Sequence, residues 1–309
     1  LNSLPFPAWE LLDHSLYKGA VSFASVGYRR YMSIITSRGC PYKCIYCHQT
    51  MGKVFRKRSA QSVLDEIEEL YFRHGFKDFE IVDDCFNLDR DRMNTILTGI
   101  RDKIQDARLH FPNALRSDLL EPEDLALFRQ AGTISAAFAI ETSSTRLQKL
   151  IHKNLNVEKA SRVIDAAVKS GIYSIGYFMM GFPTESYEEA SATAEFAARS
   201  SLHRALFFNP SPYAGTELAN MAANFRKDKI DTIESCSTNY LTTTLNISAM
   251  SDSELKKVHQ NAYRRFYVNP RRILRLIRLA VHHPEVFSLK RIAGIFLFRI
   301  LPKLSSSQY

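Results

Sequence analysis

No run of this sequence is apolar and long enough to cross a bilayer, which takes about 20 residues. The best stretch, Ile292 to Leu301, falls well short and contains Arg299. Leu1 to Glu10 hold two prolines and no basic residue, so no secretory leader is expected there. Cysteine is scarce, and five in 309 residues cannot build a disulfide scaffold. Twelve glycines and 11 prolines are too few for a collagen-like or low-complexity chain. With 45% hydrophobic and 24% charged residues, what remains is an ordinary globular protein. An initiator methionine is missing as well. Leu4-Pro5-Phe6-Pro7 is held extended by its prolines. The chain is therefore expected to begin inside a longer protein, with residues 1–30 as a linker or lead-in.

An excess of one charge is missing from most of the chain. The total is 41 Lys and Arg against 32 Asp and Glu. Ten of those bases, and one acid (Glu285), lie from Arg264 onward, which leaves the first 263 residues balanced. Any electrostatic partner is therefore addressed by the tail.

What is present is alternation. Met32–Thr36, Phe79–Val82, Arg108–Leu115, Ile134–Ile140, Ile172–Met180 and Ala205–Phe208 read as strands, the third of them weak and broken by Pro112. Helical spacing follows at Ser59–Arg73, Asp89–Lys103, Glu121–Ala131, Asn156–Ser170 and Ser186–Ser201. Strands alternating with helices argue for parallel β-α-β units. The expected fold class is α/β, a partial (β/α)6 TIM-like barrel over residues 31–210. A doubly wound sheet is the alternative. Residues 211–309 form a basic, mostly helical C-terminal extension, less regular to 263 and helical over 253–280. In a parallel sheet, chemistry belongs at the carboxyl ends of the strands. Those ends carry the cysteines, Asp83-Asp84, Arg116, Glu141, Gly181 and Asn209.

Three of the five cysteines fall within eight residues: Cys40-Pro41-Tyr42-Lys43-Cys44-Ile45-Tyr46-Cys47. Structural zinc wants four closed ligands, and the nearby His48 is poorly spaced to be the fourth. Three thiolates on one loop suit an iron–sulfur cluster better. A cubane held by three leaves one iron open, which is the mark of a catalytic metal. Arg38 and Lys43 would offset the cluster's charge. Cys85 and Cys236 read as small buried residues, and the histidines show no ligand spacing.

Cys40, Cys44, Tyr46 and Cys47 after a first strand resemble the signature of the radical S-adenosylmethionine (SAM) superfamily. Ile81-Val82-Asp83-Asp84-Cys85-Phe86 is similar to its acidic second-strand motif. Arg116 to Leu120 resembles its third-strand motif. Ala139 to Ser144, Met180 to Glu185 and Pro212 to Leu218 resemble the later ones, with Ala139, Ser144 and Ala214 as small departures. The combination is most similar to the cobalamin-associated branch that includes anaerobic magnesium-protoporphyrin IX monomethyl ester cyclase and related methyltransferases. There a cobalamin-binding domain precedes the barrel; this chain has no D-x-H-x-x-G motif, so cobalamin would enter through an upstream domain.

The resemblance implies a radical SAM enzyme with a 4Fe–4S cluster on Cys40, Cys44 and Cys47. It implies that Asp83 and Asp84 meet the methionine ammonium, that Arg116 or Lys153 meets its carboxylate, and that Glu141 bonds the ribose hydroxyls. Tyr46 would pack near the adenine, and Gly181 would let backbone approach it. A 5′-deoxyadenosyl radical would then attack an unactivated carbon of a small molecule, leading to methylation, cyclisation or rearrangement. The implied partners are that substrate, apolar in the manner of a tetrapyrrole or lipid, and an external electron donor such as flavodoxin or ferredoxin. The basic tail suits peripheral contact with an anionic membrane; no stacking motif of a nucleic-acid module is visible. An oxygen-labile cluster places the protein in the reducing cytoplasm. Rival readings are an iron–sulfur electron carrier, a structural zinc protein, and a methylthio-transfer enzyme, which would want further cysteines.

Overall fold

A computed structural model describes residues 1–13, 24, 30–48, 50–226 and 245–283. Cys236, the run Ile292 to Leu301 and the last four basic residues lie outside the described residues.

Six parallel strands make the sheet. They are β1 (Tyr31–Ile34), β4 (Asp78–Ile81), β5 (Arg108–Leu115), β6 (Thr133–Glu141), β7 (Tyr173–Met179) and β8 (Arg204–Phe208). Each pairs with the next in chain order, and no pairing joins β1 to β8 among the described residues. This is the open, partial barrel expected from the alternation. A two-stranded antiparallel ribbon, β2 (Ser37–Arg38) with β3 (Arg56–Lys57), is an addition that the sequence pattern was too short to show.

The helices between the strands begin where side chains supply caps. They are α1 (Ala60–Phe72), α2 (Arg90–Lys103), α3 (Asp124–Gln130), α4 (Thr145–Leu150), α5 (Val157–Lys169) and α6 (Tyr187–Arg199). Ser59, Asp89, Ser144, Asn156 and Ser186 each accept a backbone N–H of the first turn. The stripe Val63, Leu64, Ile67 and Leu70 of α1 is buried, as its spacing requires. Helix α4 has no counterpart in the sequence pattern, because six residues hold too little period to register.

Three further differences have local causes. Pro112 does not end β5; the strand bulges instead, with register shifts and Ala114 at φ +73°. The stretch 253–280 is two helices, α8 (Asp252–Tyr267) and α9 (Pro270–His282), after α7 (Glu217–Phe225). Pro270 cannot continue α8 but can open α9, with Asn269 as its cap. The start of the lead-in packs against α1: Trp9 is buried and its Nε1 donates to Glu66 Oε1 at 3.2 Å.

The main core lies between the sheet's outer face (Phe79, Ile81, Leu109, Phe111, Phe138, Ile140, Phe178, Phe207) and the helices. Leu255, Val258, Ala262 and Phe266 of α8 belong to the same core. The concave face is graded. At its amino end Asp78, His110 and Ser135 form a buried polar group. Beside it at the same end, Ile134, Ala137, Tyr173 and Ile175 pack with Leu276, Leu279 and Ala280 of α9.

Candidate active site

All six strands run the same way, so their carboxyl ends form one edge. There the loop from Gly39 to Phe55 carries the three thiols. The β2–β3 ribbon closes its base, and Cys40 N donates to Gly52 O at 3.2 Å. Gly39 is obligatory at φ +84°, since a Cβ there would lie 2.3 Å from Val54 O. Ile45 is driven inward beside Leu147, Ile151, Phe182 and Leu218. Its N–H donates to Ile151 O at 3.2 Å, and its carbonyl accepts Leu218 N at 3.0 Å. Burying Ile45 turns the flanking cysteines outward: Cys40 and Cys44 are half-buried and Cys47 is exposed.

The loop is electrostatically prepared. A hydrogen bond with Cys85, working against burial, holds the Cys40 thiol down to about 6. Cys85 itself is buried, as expected, and its thiol is pushed well up. Burial pushes the Cys47 thiol up; the nearby cation Lys53, whose Nζ donates to Tyr42 O at 2.8 Å, acts toward thiolate at both Cys40 and Cys47 but does not outweigh burial at Cys47. Lys53 lies outside the cysteine motif, and nothing in the sequence pattern marks it. Among the described residues, no three His, Cys, Asp or Glu side chains converge on one ion-sized point. A cubane cluster instead presents a separate iron to each thiolate.

The adjacent carboxylates after β4 part company. Asp83 is buried and accepts Thr36 N at 2.6 Å, Thr36 Oγ1 at 2.5 Å and Ser37 Oγ at 2.6 Å. It fixes the strand that feeds the cysteine loop, and its oxygens are committed to that. Asp84 is exposed and accepts Gly39 N at 2.9 Å, at the mouth.

Glu141, at the end of β6, sits at φ +66°, a left-handed conformation that costs a non-glycine residue about 1–2 kcal/mol. The strain coincides with a register shift between Ala139 and Glu141. It aims the carboxylate at Lys153 Nζ (2.8 Å) and Tyr46 Oη (3.1 Å). Lys153 and Glu141 are both buried, and Glu141 Oε2 has no hydrogen-bond partner. Tyr46 lies 6.1 Å from Phe182, ring to ring. Burial pushes its hydroxyl well above the usual range.

Arg116 follows the β5 bulge. Its guanidinium lies 3.6 Å over the Tyr42 ring, donates to Lys153 O at 2.6 Å and pairs with Asp118 at 2.9 Å. Arg116 therefore stays at the edge of the thiol loop, while the Lys153 amine is turned inward to Glu141. Gly181 is required for a different reason than expected. At φ +111° its absent Cβ would face Leu255 at 3.3 Å, not an open cleft. Its N–H and that of Phe182 donate to Glu185 Oε2 at 2.5 and 2.9 Å. Burial pushes Glu185 up to about 7 against those two N–H groups. Asn209 after β8 is buried, with Oδ1 unpartnered.

The structure thus brings Tyr46, Glu141, Lys153 and Arg116 together beside Cys40, Cys44 and Cys47. Asp83 and Gly181 support neighbouring loops. An open parallel barrel with three free thiols and a buried carboxylate at one edge is the design of a metallocofactor enzyme. The Radical SAM superfamily model matches residues 34–197, more than half of the chain, and the chain belongs to that superfamily. It is accordingly an enzyme of the kind that works with a 4Fe–4S cluster and SAM.

Its relatives narrow the branch. An uncharacterized methyltransferase of Pyrococcus horikoshii is 27% identical over 89% of this chain and 58% of its own. The cytidylyl-2-hydroxyethylphosphonate methyltransferase of Streptomyces wedmorensis is 33% identical over 71% of this chain and 42% of its own. The anaerobic magnesium-protoporphyrin IX monomethyl ester cyclase of Rubrivivax gelatinosus is 25% identical over 75% and 41%. The chain spans about half the length of these curated relatives. The fold matches that of the radical SAM methyltransferase TsrM from Kitasatospora setae, solved with cobalamin and a [4Fe-4S] cluster bound. There the TM-score is 0.54, with 21% identity over 65% of this chain and 41% of the other. Methyltransferases and the cyclase are the branch that the motifs resembled.

Proposed function

We propose that this chain is the catalytic barrel of a radical SAM methyltransferase or cyclase acting on an unactivated carbon of a small, apolar molecule. The observation that carries the site assignment is the buried, unpartnered Glu141 Oε2 beside the thiol loop. A buried carboxylate oxygen needs a donor, and the hydroxyls of a ribose would provide one. The donor set fits the cofactors: Cys40, Cys44 and Cys47 would hold the cluster, and Asp84 would meet the methionine ammonium. Arg116 would meet its carboxylate, and Tyr46 with Phe182 would flank the adenine. When bound, the cluster and SAM supply one-electron cleavage of a sulfonium and the hydrogen-abstracting chemistry that follows.

The protein's own work is orientation and exclusion. Lys153 Nζ donates to Glu141 Oε1 at 2.8 Å and so aims the carboxylate, a buried pair of opposite formal charge. Asp83 fixes the approach to the loop, so that the thiols keep their spacing. Beside the site, Ala114, Ala139, Tyr177 and Phe208 leave a partly exposed concave wall, with Tyr177 and Phe208 edge to face at 5.7 Å. Small and aromatic side chains there suit an apolar substrate and keep water from the reacting carbon. Cobalamin, if used, would be held by residues beyond this chain. An external one-electron donor, flavodoxin or ferredoxin, and a reducing cytoplasmic setting belong to the same proposal.

The test is anaerobic reconstitution with iron and sulfide, then dithionite and SAM. About four irons per chain, as a cubane requires, and release of 5′-deoxyadenosine or S-adenosylhomocysteine are expected. Iron without either product would favour an electron carrier; zinc without iron would overturn the assignment.

A further inference from the structure

Helix α9 has an outer face that the barrel does not use. Its inner face is set by Arg272, Leu276, Leu279 and Ala280. Arg272 is fully buried and donates to Leu202 O at 2.8 Å and Ser200 O at 2.9 Å, closing the end of α6. It also lies 3.5 Å over the Phe266 ring. Leu276, Leu279 and Ala280 seal the amino end of the barrel against Ile134, Ala137, Tyr173 and Ile175. These contacts fix the helix's rotation. The arginines are therefore not all on one side of the helix: Arg272 is buried while Arg271 and Arg278 are exposed.

The opposite face is aliphatic and open. Ile273 (37% exposed), Ile277 (40%), Leu274 (49%) and Val281 (69%) fall on one stripe at helical spacing, and Val268 (60%) extends it at the preceding turn. A solvated helix face would carry polar residues there. Arg271 and Arg278 are exposed along one border, and Arg264 is exposed on α8. None of the three has an ion pair among the described residues, whereas Arg265 is paired with Glu195 at 3.2 Å. Half-buried Arg275 donates to Ser201 O at 2.5 Å, near Asp165. The sequence that follows adds Lys290, Arg291, Arg299 and Lys303 against Glu285.

We propose that α9 seats the amino end of the barrel on an anionic lipid surface. The aliphatic stripe enters the headgroup boundary, and the unpaired arginines meet lipid phosphates. The charge complementarity selects this occupant: an apolar partner face would leave three guanidinium groups unanswered. No described helix is long and apolar enough to span a bilayer, so the contact is peripheral. The docking face lies at the amino ends of the strands, opposite the thiols. The contact therefore anchors the enzyme with its active-site mouth turned away from the bilayer, open to a donor or partner domain.

The test is co-sedimentation of the reconstituted protein with phosphatidylglycerol–phosphatidylcholine vesicles and with phosphatidylcholine alone. Binding to the anionic vesicles at low salt, lost at high salt and absent from phosphatidylcholine, is expected. The double variant Leu274→Asp, Ile277→Asp should bind at least tenfold more weakly while keeping its iron content and circular dichroism. Arg271→Gln with Arg278→Gln should weaken binding and flatten its salt dependence. Three outcomes overturn the proposal: no binding to anionic vesicles, binding that both double variants retain, or a dimer that the Asp variants convert to monomer while vesicle binding stays unchanged.

Discussion

Glu141 and Lys153 are the most consequential residues after the three cysteines. They are two buried, opposite charges 2.8 Å apart, 12 positions apart in the chain. Breaking such a pair strands the survivor in a poor solvent, at a cost of about 3–5 kcal/mol. Replacing both avoids that cost. Urea unfolding of Glu141→Gln and Lys153→Met should each show the loss, and the double variant should be more stable than either single one. SAM affinity should fall in every variant lacking Glu141, by equilibrium dialysis. The cysteines make a contrasting case: single Cys40→Ala, Cys44→Ala or Cys47→Ala changes should lower bound iron and abolish nucleoside release, with little effect on the fold, because none of the three is fully buried. The motif spacing made the cysteines legible. The left-handed backbone at Glu141 was not, because nothing in an Ile-Glu-Thr stretch announces a positive φ.

The loops that present the site depend on the elements beside them. Helix α6 starts with a reciprocal capping box, in which Ser186 accepts Glu189 N at 3.3 Å and Glu189 Oε2 accepts Ser186 N at 3.2 Å. The turn just before it carries Gly181 and Glu185. Ser186→Ala should cost about 1 kcal/mol by thermal or urea unfolding, with the iron content unchanged, since the thiol loop is held from other elements. Caps of this kind were readable as Ser, Asp or Asn ahead of a helical period. The β2–β3 ribbon and α4 were not, because two and six residues carry almost no periodic signal. The bulges in β5 and β6 were equally silent. They arise where a strand end must turn a side chain toward the site, and only the neighbouring strands reveal the shift.

For the whole molecule, two buried histidines pull stability down in mild acid, while Glu185, pushed up to about 7 by burial, takes up its proton in the folded state first and acts the other way between about 7 and the ordinary carboxylate range. Burial holds His203 down to about 3 and His259 to about 4. His203 Nδ1 accepts Ser174 N at 3.1 Å, so this ring is neutral in the fold. In the unfolded chain both histidines take up a proton near 6.5. The folded state therefore binds fewer protons, and stability falls as pH drops from about 6.5 toward those folded values. At Asp78 burial acts to raise the carboxyl, but hydrogen bonds to His110 and Arg108 outweigh it and hold it at about 2. Its contribution is lost only as pH falls from the ordinary carboxylate range through about 2. Urea midpoints measured from pH 7 to 4 should decline, and His203→Asn should make the decline shallower. A decline left unchanged by His203→Asn would show that this ring does not carry it.

Local pattern by itself determined the α/β class, the six-fold repeat, the thiol loop and the edge on which the chemistry gathers. Each of these follows from periodicity, caps or close spacing, which are properties of neighbouring residues. Tertiary structure alone decided which charged residues face the site. Asp83 and Asp84 are adjacent in sequence, yet one is spent on Thr36 and Ser37 while the other reaches the mouth. Lys53, Cys85 and Lys153 acquire their roles from groups brought near by folding. It also decided that α9 turns one arginine into the protein and leaves an aliphatic stripe outside. Amphipathic spacing shows that a helix has two faces; only the surface it packs against determines which one is buried.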